Sequence, residues 1–306
     1  MAPTRVITLD LNFQGRPHAI ASYLIRRGDA VVLIESGPGS TLSSLEAGLA
    51  KEGLSLRRDV THVLLTHIHL DHAGAAGWLA QQGAEIYVHP VGAPHMLNPE
   101  KLIASATRIY GDRMQTLWGE FLPVPENKLQ VVEDGVQIVI GNLEFIPVNT
   151  PGHAEHHYAY LFEDICFCGD IGGVRIPGYQ YLRVPMPPPE LHVERWHESI
   201  ARLRNAARKF ARIAPTHFGI FDDPEWQLNE VEKGLDSASR WLEQTMSEDA
   251  SMEVEALRES FTEWMMEEAV QMGLSEDVMK AYKLANPPGM SADGLLRYWK
   301  KKIKPS

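Results

Sequence analysis

The chain has 306 residues, of which 44% are apolar, and its formal net charge is −11 at pH 7. This length corresponds to one large domain or two smaller ones, at about 100–200 residues per domain. The acidic balance argues against a nucleic-acid-binding protein, whose binding surface is usually basic. It is compatible with an enzyme that acts on a small molecule.

The N-terminal residues and the cysteines bear on cellular location. The sequence MAPTRVITLDLNF lacks the basic patch and the apolar run of a signal peptide. No stretch approaches the ~20 apolar residues that cross a bilayer, so we expect no membrane contact. Cys166 and Cys168 lie two apart in a strand-like segment, where they point to one face and are poorly placed to bridge each other. We therefore expect two buried thiols and a protein of the reducing cytoplasm.

The first part of the chain alternates strand-like and helix-like segments. Strands rich in β-branched residues are predicted at 6–10, 21–27, 30–36, 61–67 and in EIYVHP. A capped helix that ends at a glycine is predicted at 40–53, and a helix of small residues at 71–83. A helical stretch at 99–119, interrupted near Gly111, predicts a helical insertion of about 92–120 over one end of the core.

Strand signals return after the insertion. Residues 130–149 and 157–170 are predicted to form hairpin-like pairs, with turns at Asp134-Gly135, Gly141-Asn142 and Glu163-Asp164. An amphipathic helix is predicted at 189–210, and a last strand and turn at 211–219.

Beyond Asp222 the strand signals stop. Helices are predicted at about 224–246, 252–272, 275–285 and 291–303. The change predicts a catalytic domain at 1–222 and a C-terminal helical region at 223–306. The helical region is rich in Met and Trp, which suits packing against itself, a homodimer interface, or a lid over a substrate pocket.

The stretch THIHLDHAG, residues 66–74, places three histidines and one aspartate within six positions. In an extended segment, side chains two apart share a face, so His67 and His69 can bind one ion together. The turn after Leu70 directs Asp71 and His72 towards a second ion. Imidazole with carboxylate suits zinc, iron or manganese sites that keep a position open for water, so a metal centre is predicted here.

Further ligands are expected at later strand ends that face the same rim. Three residues fit this description, each after a β segment and within two positions of Gly or Pro: His153 in NTPGHAEHH, Asp170 in FCGD and His217 in ARIAPTH. The Asp170 carboxylate can bridge two ions. Together with the opening motif, these residues complete a predicted set of seven ligands.

The ordered motifs T-H-x-H-x-D-H, T-P-G-H, G-D and T-H resemble those of the metallo-β-lactamase-fold hydrolase superfamily, over residues 5 to 222. The resemblance implies an α/β (α+β) fold, a four-layer αββα sandwich with metals at one edge, here with a C-terminal helical extension. It implies that one metal is held by His67, His69 and His153, and the other by Asp71, His72 and His217, with Asp170 bridging them.

The resemblance also implies supporting and substrate-binding residues. The strand AVVLIESG ends at Glu35, where the superfamily commonly has Asp, so Glu35 is expected to support the metal loop from behind. His157 matches the last histidine of the H-T-x-G-H of thioesterase and lactonase members, and it is a candidate for the substrate pocket. Residues 171–189 follow Asp170, so Arg175, Tyr179 and Tyr181 are further pocket candidates.

These features predict a dinuclear hydrolase with two divalent ions, foremost Zn²⁺ with Fe or Mn as alternatives. Two ions ~3.5–4 Å apart can share and deprotonate a water that attacks a lactone, ester or thioester carbonyl. Asp71, besides being a ligand, is expected to relay a proton. Within the superfamily, the chain resembles stand-alone hydrolases near the glyoxalase II-like and acyl-homoserine lactonase-like branches.

Three other functions stay open at this stage. The first is a mononuclear iron dioxygenase that acts on a persulfide, and the second is a metal-dependent phosphodiesterase or nuclease. The third is a non-catalytic binding protein that keeps the fold, against which the complete ligand set argues.

Overall fold

A computed structural model describes residues 4–248 and 252–303 of the chain. Residues 1–3, 249–251 and 304–306 lie outside the described ranges.

The described chain contains a first sheet of six strands in the order β1-β2-β3-β4-β5-β6. Its strands are β1 (Arg5–Asp10), β2 (Ala21–Arg27), β3 (Ala30–Ile34), β4 (His62–Leu64), β5 (Glu85–Val88) and β6 (Leu129–Val131). The first three strands are antiparallel, and β3 to β6 run parallel to one another. The carboxyl ends of the parallel strands therefore meet at one edge, the place where ligands gather in such sheets.

The second sheet has five strands in the order β11-β10-β9-β8-β7. Its strands are β7 (Ile138–Ile140), β8 (Leu143–Asn149), β9 (Tyr158–Phe162), β10 (Ile165–Phe167) and β11 (Arg212–Ala214). All neighbours are antiparallel except β10 and β11, which are parallel. The segments that carry Asp170 and His217 thus leave this sheet in the same direction.

The described chain contains eleven α-helices. They are α1 (Leu42–Lys51), α2 (Leu70–Ala73), α3 (Ala76–Gln81), α4 (Ala93–Leu97), α5 (Glu100–Tyr110), α6 (Met114–Trp118), α7 (Val193–Arg204), α8 (Pro224–Glu248), α9 (Val254–Gln271), α10 (Glu276–Ala285) and α11 (Pro288–Ile303).

The buried apolar residues form separate layers, as the alternation of side chains along each strand requires. In β3, Val32 and Ile34 point between the two sheets, whereas Leu33 points outward to the helices of the first half. In β10, Phe167 points between the sheets, and Cys166 points to the cluster of α7 and α8. This helix–sheet–sheet–helix arrangement confirms the predicted four-layer sandwich with its C-terminal helices.

The two cysteines behave as predicted. Cys166 and Cys168 are both free and buried in the same apolar cluster. Burial raises the pKa of both thiols, so they stay protonated and unreactive near neutral pH.

The strand pairing corrects one predicted hairpin. The turns at Gly141-Asn142 and Glu163-Asp164 do join antiparallel neighbours, β7 with β8 and β9 with β10. However, β6 pairs in parallel with β5, so the turn at Asp134-Gly135 passes from one sheet to the other. Alternation within a strand does not specify its partner, which is why the sequence pattern could not separate these cases.

The predicted helix at 71–83 is divided into α2 and α3 around Gly74. The backbone of Pro38 lies so close to Gly74 that an added Cβ would be 2.8 Å from the Pro38 Cα. This close approach requires glycine, and it locks the loop after β3 against the loop that carries the histidine motif.

The C-terminal helices pack against the second sheet and against one another. Phe261 of α9 packs against Trp241 of α8 and Trp264 of its own helix, with ring centroids 5.0 and 5.3 Å apart. The last helix also reaches the insertion, since the Tyr110 hydroxyl of α5 lies 3.8 Å from the Met290 sulfur of α11. In the described chain these aromatic residues are therefore used in packing between helices.

We expect Gly294→Ala to destabilise the fold, although alanine is normally better than glycine inside a helix by about 0.5–1 kcal/mol. A Cβ at Gly294 of α11 would lie 1.9 Å from the carbonyl oxygen of Met186. Overpacking of this kind costs about 1–3 kcal/mol. The measurement is the urea midpoint of unfolding.

Gly289→Ala, in the same helix, is the matched control. Its added Cβ would meet only the Arg258 side chain, at 3.8 Å, which is an ordinary contact. Its midpoint should equal or exceed that of the wild type. Equal midpoints for the two variants would contradict the close packing of α11 on Met186.

Candidate metal centre

Three histidines converge at the carboxyl edge of the sheets. His67 and His69 follow β4 in the loop before α2, and His153 lies in the loop between β8 and β9. The His69 Nδ1 atom is 2.9 Å from His67 Nε2 and 3.0 Å from His153 Nε2. These three nitrogens are close enough to hold one ion, and we call the residues the first trio.

A second trio lies beside the first. Asp71 and His72 are in the single turn of α2, and His217 follows β11. The Asp71 Oδ2 atom is 3.7 Å from His72 Nε2 and 3.4 Å from His217 Nε2. These three atoms can also hold an ion.

The Asp170 carboxylate lies between the two trios. Its Oδ2 is 3.2 Å from His153 Nε2 in the first trio. Its Oδ1 is 3.2 Å from His72 Nε2 and 3.4 Å from His217 Nε2 in the second. The structure thus brings all seven predicted ligand residues together, with Asp170 in contact with both groups.

Unsatisfied polar atoms test whether these residues fit a metal. Within the described residues, His72 Nε2, His217 Nε2 and Asp170 Oδ1 are buried and form no hydrogen bond. Such orphaned groups are costly unless something else coordinates them. Imidazole nitrogens and carboxylate oxygens are suitable ligands for zinc, iron or manganese, so the donor set fits a divalent metal.

Hydrogen bonds to backbone carbonyls determine which ring nitrogen of His153 and His217 faces the cluster of ligands. His153 Nδ1 lies 2.9 Å from the carbonyl oxygen of Pro185, and His217 Nδ1 lies 2.7 Å from that of Ala19. A carbonyl can only accept, so each Nδ1 carries the proton and each Nε2 faces the cluster. Outer contacts of this kind orient metal-binding histidines.

Glu35 lies behind both trios, and its side chain is fully buried. Its carboxylate accepts hydrogen bonds from the Thr66 hydroxyl and amide and from the Thr216 hydroxyl, and Oε1 lies 3.0 Å from His72 Nδ1. By distance alone, Glu35 could also share an ion with His67 and His72. Because its oxygens are already occupied by protein donors, a supporting position is the better interpretation.

The sequence model of the Metallo-beta-lactamase superfamily matches residues 15–217 of the chain. The chain belongs to this superfamily. A metallo-beta-lactamase fold-containing protein, ST1585, of Sulfurisphaera tokodaii is 26% identical over 190 residues, 61% of this chain and 68% of that protein. A hydroxyacylglutathione hydrolase of Aeromonas salmonicida is 29% identical over 149 residues, 48% of this chain and 44% of the relative. The chain thus spans about two thirds of one relative and under half of the other.

Solved structures show the same fold. The crystal structure of ST1585 has a TM-score of 0.59 at 24% identity, and the match covers 74% of this chain and 85% of that one. The family protein TTHA1429 of Thermus thermophilus has a TM-score of 0.64 at 19% identity, covering 98% of this chain and 94% of that one. The second match includes the C-terminal helices. Within the described ranges, no helix is both long and apolar enough to cross a membrane.

In the metal-free protein the two trios differ in charge. Burial, together with the neighbouring histidines, lowers the pKa of His67, and it lowers that of His69 to about 4. Burial also lowers the pKa of His72 and His217, but the carboxylates of Asp170 and Asp71 outweigh it and raise both above the usual value. The neutral form is therefore favoured for the histidines of the first trio, and the protonated form for those of the second.

The pKa values of the two carboxylates, Asp71 and Asp170, shift in the opposite direction and are lowered. Burial would raise the pKa of Asp71, yet His72 and His217 outweigh it and hold that pKa at about 2. The same histidines and His153 keep the pKa of Asp170 well below its usual range, again against burial. Both carboxylates are thus ionised and ready to bind a cation.

His157, predicted for the substrate pocket, is placed underneath the bridging residue. It is fully buried; its Nδ1 lies 2.8 Å from the Thr150 hydroxyl, and its Nε2 accepts from the Asp170 amide at 3.2 Å. Both ring nitrogens are occupied, so the geometry makes His157 a support for Asp170 rather than a substrate contact.

The side chains of the other pocket candidates are engaged away from the trios, although the Arg175 backbone amide donates to the His217 carbonyl. The Arg175 guanidinium forms a two-pronged ion pair with Asp223 and lies against the rings of Phe221 and Trp226, 4.0 and 4.3 Å from their centroids. These contacts hold the segment after Asp170 to the start of α8. Tyr179 and Tyr181 pack in an apolar cluster with α9 and α10.

Three residues near the centre were not predicted from the sequence. Thr66 and Thr216 both donate to Glu35, and each precedes a ligand histidine in a T-H pair, a repetition that could have identified them. Tyr110, from the insertion, lies close enough to Asp71 for that carboxylate, after burial, to raise its pKa. Only the tertiary structure could bring Tyr110 here.

We expect metal uptake by the second trio to release more protons than uptake by the first. A metal binds only neutral imidazole, and His72 and His217 have raised pKa values, whereas the pKa of His69 is about 4. As the pH is lowered from neutrality, the metal affinity of the second trio should therefore fall first. The metal affinity of the first trio should fall only at lower pH. Calorimetric titration of Zn²⁺ into metal-free protein, in buffers of different ionisation enthalpy, measures the protons released at each step.

His217→Ala provides the control for this measurement, because it removes one of the two ligands whose pKa is raised. In this variant, metal binding at the second trio should release fewer protons or disappear, while binding at the first trio is unchanged. Equal proton release at both steps in the wild type would contradict the assigned charges.

Proposed function

We propose that the protein is a dinuclear metal-dependent hydrolase that cleaves a lactone, ester or thioester bond of a small molecule. One observation carries the proposal: the Asp170 carboxylate contacts ligands of both trios, at 3.2 Å on either side. Such a bridge suits two ions that share one site. The likeness to a hydroxyacylglutathione hydrolase over about half of the chain gives further support for hydrolysis.

His67, His69 and His153 would hold one ion, and Asp71, His72 and His217 the other, with Zn²⁺ as the first candidate and Fe or Mn as alternatives. Bound there, two divalent ions would lower the pKa of a water to make it a nucleophile and polarise the carbonyl under attack. Glu35 would keep His72 oriented, and the Pro185 carbonyl would do the same for His153.

Asp71 is the proposed proton relay because it is the carboxylate that solvent can reach. Its side chain is 20% exposed, compared with 5% for Asp170. An oxygen at the open side can accept a proton from the attacking water and pass it to the leaving group.

The mononuclear iron dioxygenase is a weaker proposal, because a single ion would leave the second trio and its orphaned atoms without a partner. The phosphodiesterase is also weaker, since a net charge of −11 opposes an approaching phosphate backbone.

We expect Asp170→Ala to lower turnover by more than the 10–100-fold that loss of an outer support typically costs. The chain should keep its fold, because Asp170 lies in a short turn outside the strands. The assay is a substrate panel of lactones, thioesters and bis(p-nitrophenyl) phosphate, run on protein of measured metal content. The variant should contain at most one metal ion per chain.

His197→Ala is the matched control, since His197 lies on α7 and hydrogen-bonds to Asp236 at the surface. It should retain wild-type turnover and metal content. Full activity of Asp170→Ala would refute the proposed ligand set. One iron per chain with sulfite formation under oxygen would favour the dioxygenase, and fastest cleavage of the phosphodiester would favour the third function.

A further inference from the structure

A cavity of about 230 Å³ opens between residues 180–186, α8 and α9. Its lining contains none of the seven predicted ligands. Phe261, Trp264 and Met265 of α9 form apolar walls, and Lys233 and Met272 are at the exposed side. The cavity is thus a second concave site, separate from the metal centre.

A buried cation faces this cavity. Arg183 is 2% exposed, and its Nε donates to the Tyr181 hydroxyl at 3.2 Å. The rings of Tyr181 and Tyr282 flank the guanidinium at 5.7 and 5.4 Å. Its two terminal nitrogens, however, are buried and have no hydrogen-bond partner within residues 4–248 and 252–303.

An unpaired buried guanidinium is costly, and proteins normally pair or hydrogen-bond such a charge. The nearest lining carboxylates do not do so here. Glu230 pairs with Lys233, and no described carboxylate forms an ion pair with Arg183. The two free nitrogens form a planar fork, which suits a carboxylate bound through both oxygens.

Glu268 of α9 is the remaining acid in the lining. Burial raises its pKa, while Arg183 and a hydrogen bond with Tyr181 act in the opposite direction. Glu268 is thus close enough to Arg183 to interact with it electrostatically, although the two side chains form no ion pair.

We propose that this cavity binds a small carboxylic acid with an apolar body, its carboxylate on Arg183 and its body against Phe261, Trp264 and Met265. The volume is below the ~300–1,000 Å³ of pockets for drug-sized ligands, which limits the body to about the size of one ring and a short chain. The proposal does not depend on the proposed hydrolase activity.

The test is calorimetric titration of metal-loaded protein with three probes: 3-phenylpropanoate, its neutral amide 3-phenylpropanamide, and inorganic phosphate. The acid should bind saturably with a Kd of about 1 mM or tighter. The amide and phosphate should each bind at least about tenfold more weakly, because one lacks the charge and the other the apolar body. Equal binding of the acid and either comparison probe, or no saturable binding of the acid, would overturn the proposal.

Two variants locate the site. Arg183→Met removes the charge at similar length, and Met265→Trp fills the cavity while keeping Arg183; each should weaken acid binding at least about tenfold. If circular dichroism shows that Arg183→Met does not fold, Met265→Trp decides. Wild-type affinity in the folded variants would refute the site.

Asp170→Ala and Lys233→Ala are the controls. A carboxylate can also bind a metal ion, so Asp170→Ala must retain acid binding if the acid occupies the cavity. Lys233 is at the exposed side, and its removal should change the affinity less than about twofold. Loss of binding in Asp170→Ala alone would place the acid at the metal centre and overturn the proposal.

Discussion

The buried carboxylate of Glu35 holds the metal-binding edge together. It accepts hydrogen bonds from Thr66 after β4 and from Thr216 after β11, and it contacts His72 in α2. One side chain thus joins elements from both sheets. The Glu35 backbone lies in the left-handed region, at φ 66°, an uncommon conformation for a residue other than glycine. Strain of this type persists only where the surroundings enforce it, and functional sites are where it is usually found.

The distribution of charge behind and within the cluster makes its two halves chemically unlike. The first trio consists of histidines whose pKa values burial lowers, whereas the carboxylates around the second raise the pKa values of His72 and His217. Asp170 touches both halves, so an ion bound on one side changes the field felt on the other. Under the proposed dinuclear function, binding of one ion is therefore expected to be coupled to binding of the other and to pH.

The C-terminal helices complete the chain's outer layer and also form new concave surface. The Tyr282 hydroxyl of α10 donates to the Tyr181 carbonyl and accepts from the Ile176 amide, which holds the segment after Asp170 in place. That segment borders the Arg183 cavity and, through the Pro185 carbonyl, contacts His153. The segment that positions one ligand of the metal centre through Pro185 therefore also supplies neighbouring residues, Val184 and Met186, to the wall of the cavity.

The sequence by itself determined the candidate ligand set, because the spacing in THIHLDHAG and the strand-end positions of His153, Asp170 and His217 follow from local chain geometry. It also indicated the sandwich and its C-terminal helices. It could not decide that β6 joins the first sheet, that His157 supports Asp170, or that Arg175 pairs with Asp223. Those outcomes depend on contacts between residues far apart in the chain, such as Arg175 with Asp223, and only the packed tertiary structure brings such residues together.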